Sequence, residues 1–114
     1  PEIHPIIGNK QRLDELIHNG ASSVLEHKCG VTNKTDMMKA VEQAKQYAIK
    51  LNTTVELVFV LNFILDGTNV EYVASDATED RVNICTIKHS ADCKVWTISM
   101  PSPLLMFPQA QETQ

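Results

Sequence analysis

Residues 55–65, "VELVFVLNFIL", decide the fold of this 114-residue chain. β-Branched and aromatic side chains occupy both the odd and the even positions of the stretch, so a strand built from it is apolar on both faces. A strand of that kind lies in the middle of a sheet that is covered on each side. We therefore predict a central strand at 55–64 that ends at Asp66-Gly67. The run is too short to cross a bilayer, and we expect no membrane partner.

A helix is predicted just before this strand, over 36–51, "DMMKAVEQAKQYAIKL". Apolar residues recur there at helical spacing and form a stripe that can pack on a sheet. Asn33 or Thr35 is placed to cap the start of the helix, and Asp36 lies where a negative charge interacts favourably with the helix dipole. The residues of the stripe are Met37, Val41, Ala44, Ala48 and Leu51.

Further strands are predicted on both sides of this helix and strand. Two of them, at 12–18 and 22–29, flank Asn19-Gly20, a pair typical of β-hairpin turns. Three shorter strands follow the central one, and the turn "HSADC" joins the last two. These three strands are predicted at 69–74, 81–88 and 94–99.

The resulting order, β-β-α-β-β-β-β, predicts an α/β (α+β) fold. A β-hairpin followed by one main crossover helix and another strand implies a mixed β-sheet with the helix on one face and a right-handed crossover. The length suits one domain with one core, which we assign to 1–100. Residues 101–114 contain three of the five prolines and are predicted to form an irregular C-terminal tail.

Composition narrows the class of protein. The chain is 43% hydrophobic and 21% charged, and its formal net charge of -4 provides no basic footprint for nucleic acid. A polyanion would therefore need a local patch or a metal ion. Three cysteines without a CxxC pair fit a reducing compartment, and no secretory signal opens the chain. We expect an intracellular location, in the cytoplasm or the nucleus.

Three charged side chains of the predicted hairpin form a candidate site. Glu26 and Lys28 are two apart on a strand, so their side chains leave the same face. With a two-residue turn Asp14 lies opposite Leu25, on the other face, whereas with a three-residue loop it lies opposite Glu26. Two carboxylates and a lysine on one face suit a hard cation such as Mg²⁺ and metal-assisted phosphodiester hydrolysis. The alternative is an ordinary ion pair on a solvated hairpin.

The spacing D-x(11)-E-x-K in "RLDELIHNGASSVLEHK", followed by Q-x(3)-Y in "QAKQY", resembles the PD-(D/E)XK nuclease superfamily, which has the restriction-endonuclease-like fold. The similarity covers residues 12–64. It implies that Asp14 and Glu26 bind Mg²⁺ or Mn²⁺ together with the backbone carbonyl of His27. It also implies that Lys28 activates or positions the attacking water.

The resemblance extends to two residues of the predicted helix, Gln43 and Tyr47. They are four apart and share one helical face, and the resemblance implies that they support the site and contact nucleic acid. The implied function is a metal-dependent nuclease that hydrolyses phosphodiester bonds, in DNA rather than in RNA.

One departure from the family pattern supports a different function. The family's first helix has no counterpart in "PEIHPIIGNK", where two prolines discourage a helix. The alternative is a catalytically inactive nuclease-like module that binds protein or nucleic acid as part of a larger polypeptide. A homodimer, or contact with neighbouring domains of a longer chain, is compatible with the sheet edge that the late strands leave.

For the remaining cysteines, the tryptophan and an acidic segment, the sequence predicts structural roles and no functional site. The spacing of Cys85, His89 and Cys93 matches no strong zinc pattern. Trp96 is expected in the core. The acidic segment 75–80, "SDATED", is expected to be a solvated loop.

Overall fold

A four-stranded mixed sheet and one α-helix make up the fold in the computed structural model, which describes residues 23–51 and 55–108. The strands lie in the order β1-β2-β3-β4. The predicted α+β class, with a mixed sheet and one main helix, is confirmed. The elements are β1 (Ser23–Cys29), α1 (Lys34–Leu51), β2 (Leu57–Leu65), a short 3₁₀ helix (Ala74–Ala77), β3 (Asn83–His89) and β4 (Trp96–Ser99).

The strand predicted at 55–64 is β2, and it is central as predicted. It pairs in parallel with β1 on one side and with β3 on the other. Its burial pattern, with only Phe63 and Leu65 outside the buried class, is that of a strand covered on both faces. Gly67 follows with a φ of 91°, a conformation that glycine adopts without strain, so the chain turns after β2 as expected.

The helix predicted at 36–51 is α1, which begins two residues earlier, at Lys34. Asn33 caps it: its Oδ1 accepts the N–H of Asp36 at 2.7 Å, and its Nδ2 donates to the Asp36 carboxylate at 2.9 Å. Four of the five stripe residues are buried, but Leu51 at the helix end is 51% exposed. No helix in the described part of the chain is long and apolar enough to cross a membrane.

The last two strands form the predicted hairpin. β4 pairs antiparallel with β3, and the turn between them is closed by a bond from the Ser90 N–H to the Val95 carbonyl at 2.9 Å. Both strands begin two residues later than predicted. For β3 the reason is Arg81, whose φ of 58° is incompatible with an extended strand.

The prediction of a strand at 69–74 is wrong, because the structure has no strand between Leu65 and Ala74. The segment runs irregularly from β2 into the 3₁₀ helix, although Val70, Tyr72 and their neighbours alternate in a strand-like pattern. The Glu71 N–H donates to the Thr32 carbonyl at 2.6 Å, which ties the segment to the loop before α1 and not to a sheet. The Asp76 carboxylate then accepts the Val73 N–H at 2.9 Å at the start of the 3₁₀ helix.

The first predicted hairpin is described only in its second half. The strand predicted at 22–29 is β1, which begins at Ser23. The strand predicted at 12–18 and the turn at Asn19-Gly20 lie outside the described residues.

A buried polar network joins the carboxyl ends of the parallel strands. Asn62 Nδ2 donates to the Val31 carbonyl at 2.8 Å and to the Tyr72 hydroxyl at 2.7 Å. Asn62 Oδ1 accepts the Val31 N–H at 3.2 Å. The Tyr72 hydroxyl also bonds Thr86 Oγ1 at 2.8 Å. Because buried polar groups are costly unless bonded, this network fixes the start of the β1–α1 loop and the segment before β3 relative to β2.

Two apolar clusters cover the two faces of the sheet. Even-numbered residues of the parallel strands, such as Val58 and Val60, pack against α1, and odd-numbered ones, such as Phe59, face the other way. Part of that second face is covered by the segment after β4, where Met106 forms a bridge with Leu57. There the main chain of Leu105 also bonds the Asn83 amide, at 2.7 Å through its N–H and at 2.9 Å through its carbonyl.

Removal of the Tyr72 hydroxyl should destabilise the fold. We expect Tyr72→Phe to lower the free energy of unfolding by about 1–2 kcal/mol, because it leaves buried groups of Asn62 and Thr86 without one of their partners. The chain's other tyrosine, Tyr47, is 57% exposed, so Tyr47→Phe is a matched control that should change stability by less than about 0.5 kcal/mol. Urea denaturation measures both, and equal stabilities would contradict the role given to the network.

Candidate functional site

Glu26 and Lys28 lie side by side on β1. Both share the face of Val24, which packs in the cluster under α1, so the expectation that the two side chains leave the same face is confirmed. The Lys28 Nζ lies 3.5 Å from Glu26 Oε2, and the Lys28 and Glu26 side chains are 31% and 18% exposed. Because the two side chains are partly buried, solvent and salt screen the attraction between their charges less than in a fully exposed ion pair.

The backbone around Lys28 is held by the buried polar network. Lys28 is the register partner of Asn62, and Asn62 is the register partner of Thr86. The three side chains therefore form one row across β1, β2 and β3 on the helix-facing side. After β1 the chain leaves the sheet at Gly30, which has a φ of 72° and donates its N–H to the Phe63 carbonyl at 2.9 Å.

His27 presents its side chain on the opposite face of β1. Its ring lies parallel to that of Phe63, with a centroid distance of 6.3 Å and an interplanar angle of 9°. The imidazole is therefore directed away from Glu26 and Lys28. The group that the sequence resemblance assigns to a metal is the backbone carbonyl of His27, and that assignment stays a prediction.

Gln43 and Tyr47 lie on the exposed surface of α1. They line a shallow groove with other residues of the same helix. Helical spacing places them on the flank opposite Lys45, and Lys45 bonds Asp80 at 2.8 Å on the β3 side of the sheet. Gln43 and Tyr47 therefore lie on the other flank of α1, in a groove whose lining comes from this helix alone. The residues that line the groove are Glu42, Gln43, Gln46, Tyr47 and Lys50.

The acidic segment 75–80 is more ordered than a solvated loop. The Asp76 carboxylate lies 3.5 Å from Lys34 Nζ, and the Asp80 carboxylate lies 2.8 Å from Lys45 Nζ. The hydrogen bond to Asp80 raises the pKa of the Lys45 ammonium above its usual range. Both carboxylates are thus paired with lysines of α1, as Glu26 is paired with Lys28 on β1.

Of the three residues predicted to bind the metal, the structure describes Glu26 and His27. Asp14 lies outside the described residues. Within residues 23–51 and 55–108, no group of three or more histidine, cysteine, aspartate or glutamate side chains is arranged to hold a metal ion. Cys85, His89 and Cys93 therefore do not form such a group. The Glu26 carboxylate is an oxygen donor of the type that Mg²⁺ prefers, and its role as a ligand stays a prediction.

Sequence reasoning missed Asn62. Its signal was present, because an asparagine in the middle of the apolar run "VLNFIL" needs a buried partner for its amide. The identity of the partners, Val31 and Tyr72, follows only from the sheet and loop geometry.

Comparison with known proteins gave no match: no protein-family model, no curated protein and no solved structure matches this chain.

The three cysteines should differ in reactivity. Cys29 and Cys93 are exposed, whereas Cys85 is buried on β3, and burial raises the pKa of its thiol from 9.0 to about 12. We expect two thiols to react with a thiol-specific disulfide reagent near pH 8 in the folded protein, and three after denaturation. Because the folded pKa exceeds the unfolded one, ionisation of Cys85 should favour the unfolded chain as the pH rises above about 9. Rapid reaction of all three thiols in the folded protein would contradict this placement.

Proposed function

We propose that this chain is a metal-dependent nuclease domain with a restriction-endonuclease-like fold, acting on DNA. The observation that carries the proposal is the pairing of Glu26 with Lys28 on the helix-facing side of a strand that is followed directly by a helix and a parallel strand. The order of an E-x-K strand, a helix and an apolar strand is the pattern in which this chain resembles the nuclease superfamily. Three free thiols, in Cys29, Cys85 and Cys93, support an intracellular location for such an enzyme.

In this proposal Glu26 and Asp14 hold Mg²⁺ or Mn²⁺ together with the carbonyl of His27. The bound cation supplies Lewis-acid stabilisation of charge on a phosphoryl oxygen and a more acidic water. Glu26 suits this task because its carboxylate is partly buried and its neighbouring ligand groups would all be oxygens. The proposal requires that a loop of the first hairpin bring Asp14 onto the face of Glu26.

Lys28 has the position of the residue that orients the attacking water or a phosphate oxygen. Its ammonium lies 3.5 Å from the Glu26 carboxylate, and its partner on the neighbouring strand is the buried Asn62. A lysine held in this way loses little further conformational freedom when a phosphate binds. Its charge also offsets part of the repulsion between Glu26 and a phosphodiester.

Gln43 and Tyr47 are proposed to contact the backbone of the nucleic acid. Both line the exposed groove that is formed by residues of α1. Amides and hydroxyls are common donors to phosphate oxygens, and they position a duplex without reading its sequence. Lys50 lies in the same groove and adds a cation there.

Cleavage of plasmid DNA with Mg²⁺ tests the assignment. We expect Glu26→Gln and Lys28→Ala each to lower the cleavage rate by about 100-fold or more, since each removes a group that acts on the metal, the water or the phosphate. The matched controls are Glu79→Gln and Lys39→Ala, which make similar changes at exposed positions outside the proposed site. These controls should cleave like the parent.

Two outcomes of this assay would contradict the proposal. Equal cleavage by the parent and both site variants would remove Glu26 and Lys28 from the chemistry. DNA binding without cleavage under any of several divalent cations would favour the catalytically inactive module.

Metal binding supplies a separate test of the ligand set. We expect Mn²⁺ binding to be detectable by titration calorimetry in the parent and to be lost in Glu26→Gln and in Asp14→Asn, because each variant replaces a charged ligand with a neutral amide of the same shape. Glu79→Gln should bind like the parent. Retention of binding in Asp14→Asn alone would show that the hairpin does not bring Asp14 to Glu26.

A further inference from the structure

Four aromatic rings form a continuous row across the four strands of the sheet, on the face opposite α1. His27 and Phe63 lie 6.3 Å apart, Phe63 and Trp96 lie 6.1 Å apart, and Trp96 and His89 lie 5.1 Å apart between ring centroids. The rings come from β1, β2, β4 and β3. We call these four residues, His27, Phe63, His89 and Trp96, the ring row.

The ring row is accessible at the surface. His27 is exposed, and the other three residues are partly exposed, including Trp96, which the sequence had suggested for the core. The segment after β4 covers the opposite end of the strands, where it contacts Leu57 and Asn83 at the first residues of β2 and β3. Those contacts lie at the amino ends of β2 and β3, whereas the rings lie towards the carboxyl ends of the parallel strands.

The chemistry of the ring row suits flat, polar, aromatic ligands. The planes of His27 and Phe63 differ by only 9°, whereas the Trp96 ring lies at 86° to Phe63 and at 44° to His89, so the row contains both ring faces and ring edges. Two of the four rings are imidazoles, which combine a π face with hydrogen-bonding nitrogens. The exposed Lys94 lies in the turn before Trp96 and offers an ammonium for a phosphate. Asp92, in the same turn, accepts bonds from the Ser90 hydroxyl and the Lys94 N–H.

We propose that the ring row binds the bases of single-stranded nucleic acid by stacking. Base stacking on aromatic side chains is tolerant of sequence, and it requires bases whose π faces are not already stacked within a duplex. The choice of nucleic acid as the partner rests in part on the proposed function, whereas the ring geometry and Lys94 stand independently of it. His27 lies between Glu26 and Lys28 in β1, so one strand supplies both the ring row and the proposed catalytic face.

The intrinsic fluorescence of the protein reports on this surface directly, because Trp96 is the only tryptophan of the chain. The probe is an oligothymidylate of about 12 nucleotides, within the range of known single-strand sites. The full chain is titrated with it in EDTA, so that metal-dependent cleavage cannot contribute. We expect saturable quenching of Trp96, and weaker quenching by a duplex of the same length.

Variants of the ring row identify the contact. Phe63→Leu keeps an apolar side chain in the sheet, and His27→Ala changes an exposed side chain, so both should fold; each should weaken binding by roughly fivefold or more. The matched control is Phe107→Leu, which removes an aromatic ring that packs on the helix-side cluster away from the ring row. Its binding should equal that of the parent. Circular dichroism confirms that each variant is folded.

Three results would overturn the inference: no quenching, quenching that both ring-row variants leave unchanged, or a Trp96 emission shift that depends on protein concentration alone. The last result would assign the surface to a second copy of the chain. The proposed nuclease activity fails separately, through unchanged cleavage by Glu26→Gln. Quenching that persists in Glu26→Gln supports the ring row whatever the outcome of the cleavage assay.

Discussion

The amide of Asn62 is the constraint on which the arrangement of this chain depends. It is fully buried, and it bonds both the N–H and the carbonyl of Val31 as well as the hydroxyl of Tyr72. A buried amide is tolerated only when its bonds are all made, so the loop before α1 and the segment before β3 must take up fixed positions against β2. Lys28 is the register partner of Asn62 on β1, so the backbone of Lys28 is held next to this network.

We propose a different role for each face of β1, phosphodiester chemistry on one and base stacking on the other. Glu26 and Lys28 face α1 and form the pair to which we assign phosphodiester chemistry. His27, between them, faces the other way and joins the ring row. Alternation along a strand makes this division possible without any loop of its own. Because the net charge is -4, the nucleic-acid binding that we propose would depend on local groups, namely a bound cation and the ammonium groups of Lys28, Lys50 and Lys94.

Local patterns in the sequence predicted the elements that depend on local physics. The helical spacing of α1, the two-sided apolar character of β2 and the shared face of Glu26 and Lys28 all follow from short-range periodicity, and the structure bears them out. The prediction of a strand at 69–74 was wrong for a non-local reason. The alternating pattern treats Tyr72 as an apolar strand residue, but its hydroxyl bonds the Asn62 amide, ten residues earlier in the chain. The ring row and the pairing of Asp80 with Lys45 join distant segments, so their prediction requires the strand register and the packing of the helix. The position of Asp14 depends on the length of one turn, which periodicity does not fix.

Paramagnetic broadening by Mn²⁺ in the amide spectrum of the labelled protein tests the central claim most directly, because it locates the ion without reference to activity. We expect substoichiometric Mn²⁺ to broaden the amides of Glu26, His27 and Lys28 together with that of Asp14. The amides of Asp76 and Asp80, which lie outside the proposed ligand set and whose carboxylates pair with lysines of α1, should be affected much less. Broadening centred on Asp76 and Asp80, with residues 26–28 unchanged, would contradict the assignment of the metal site to β1.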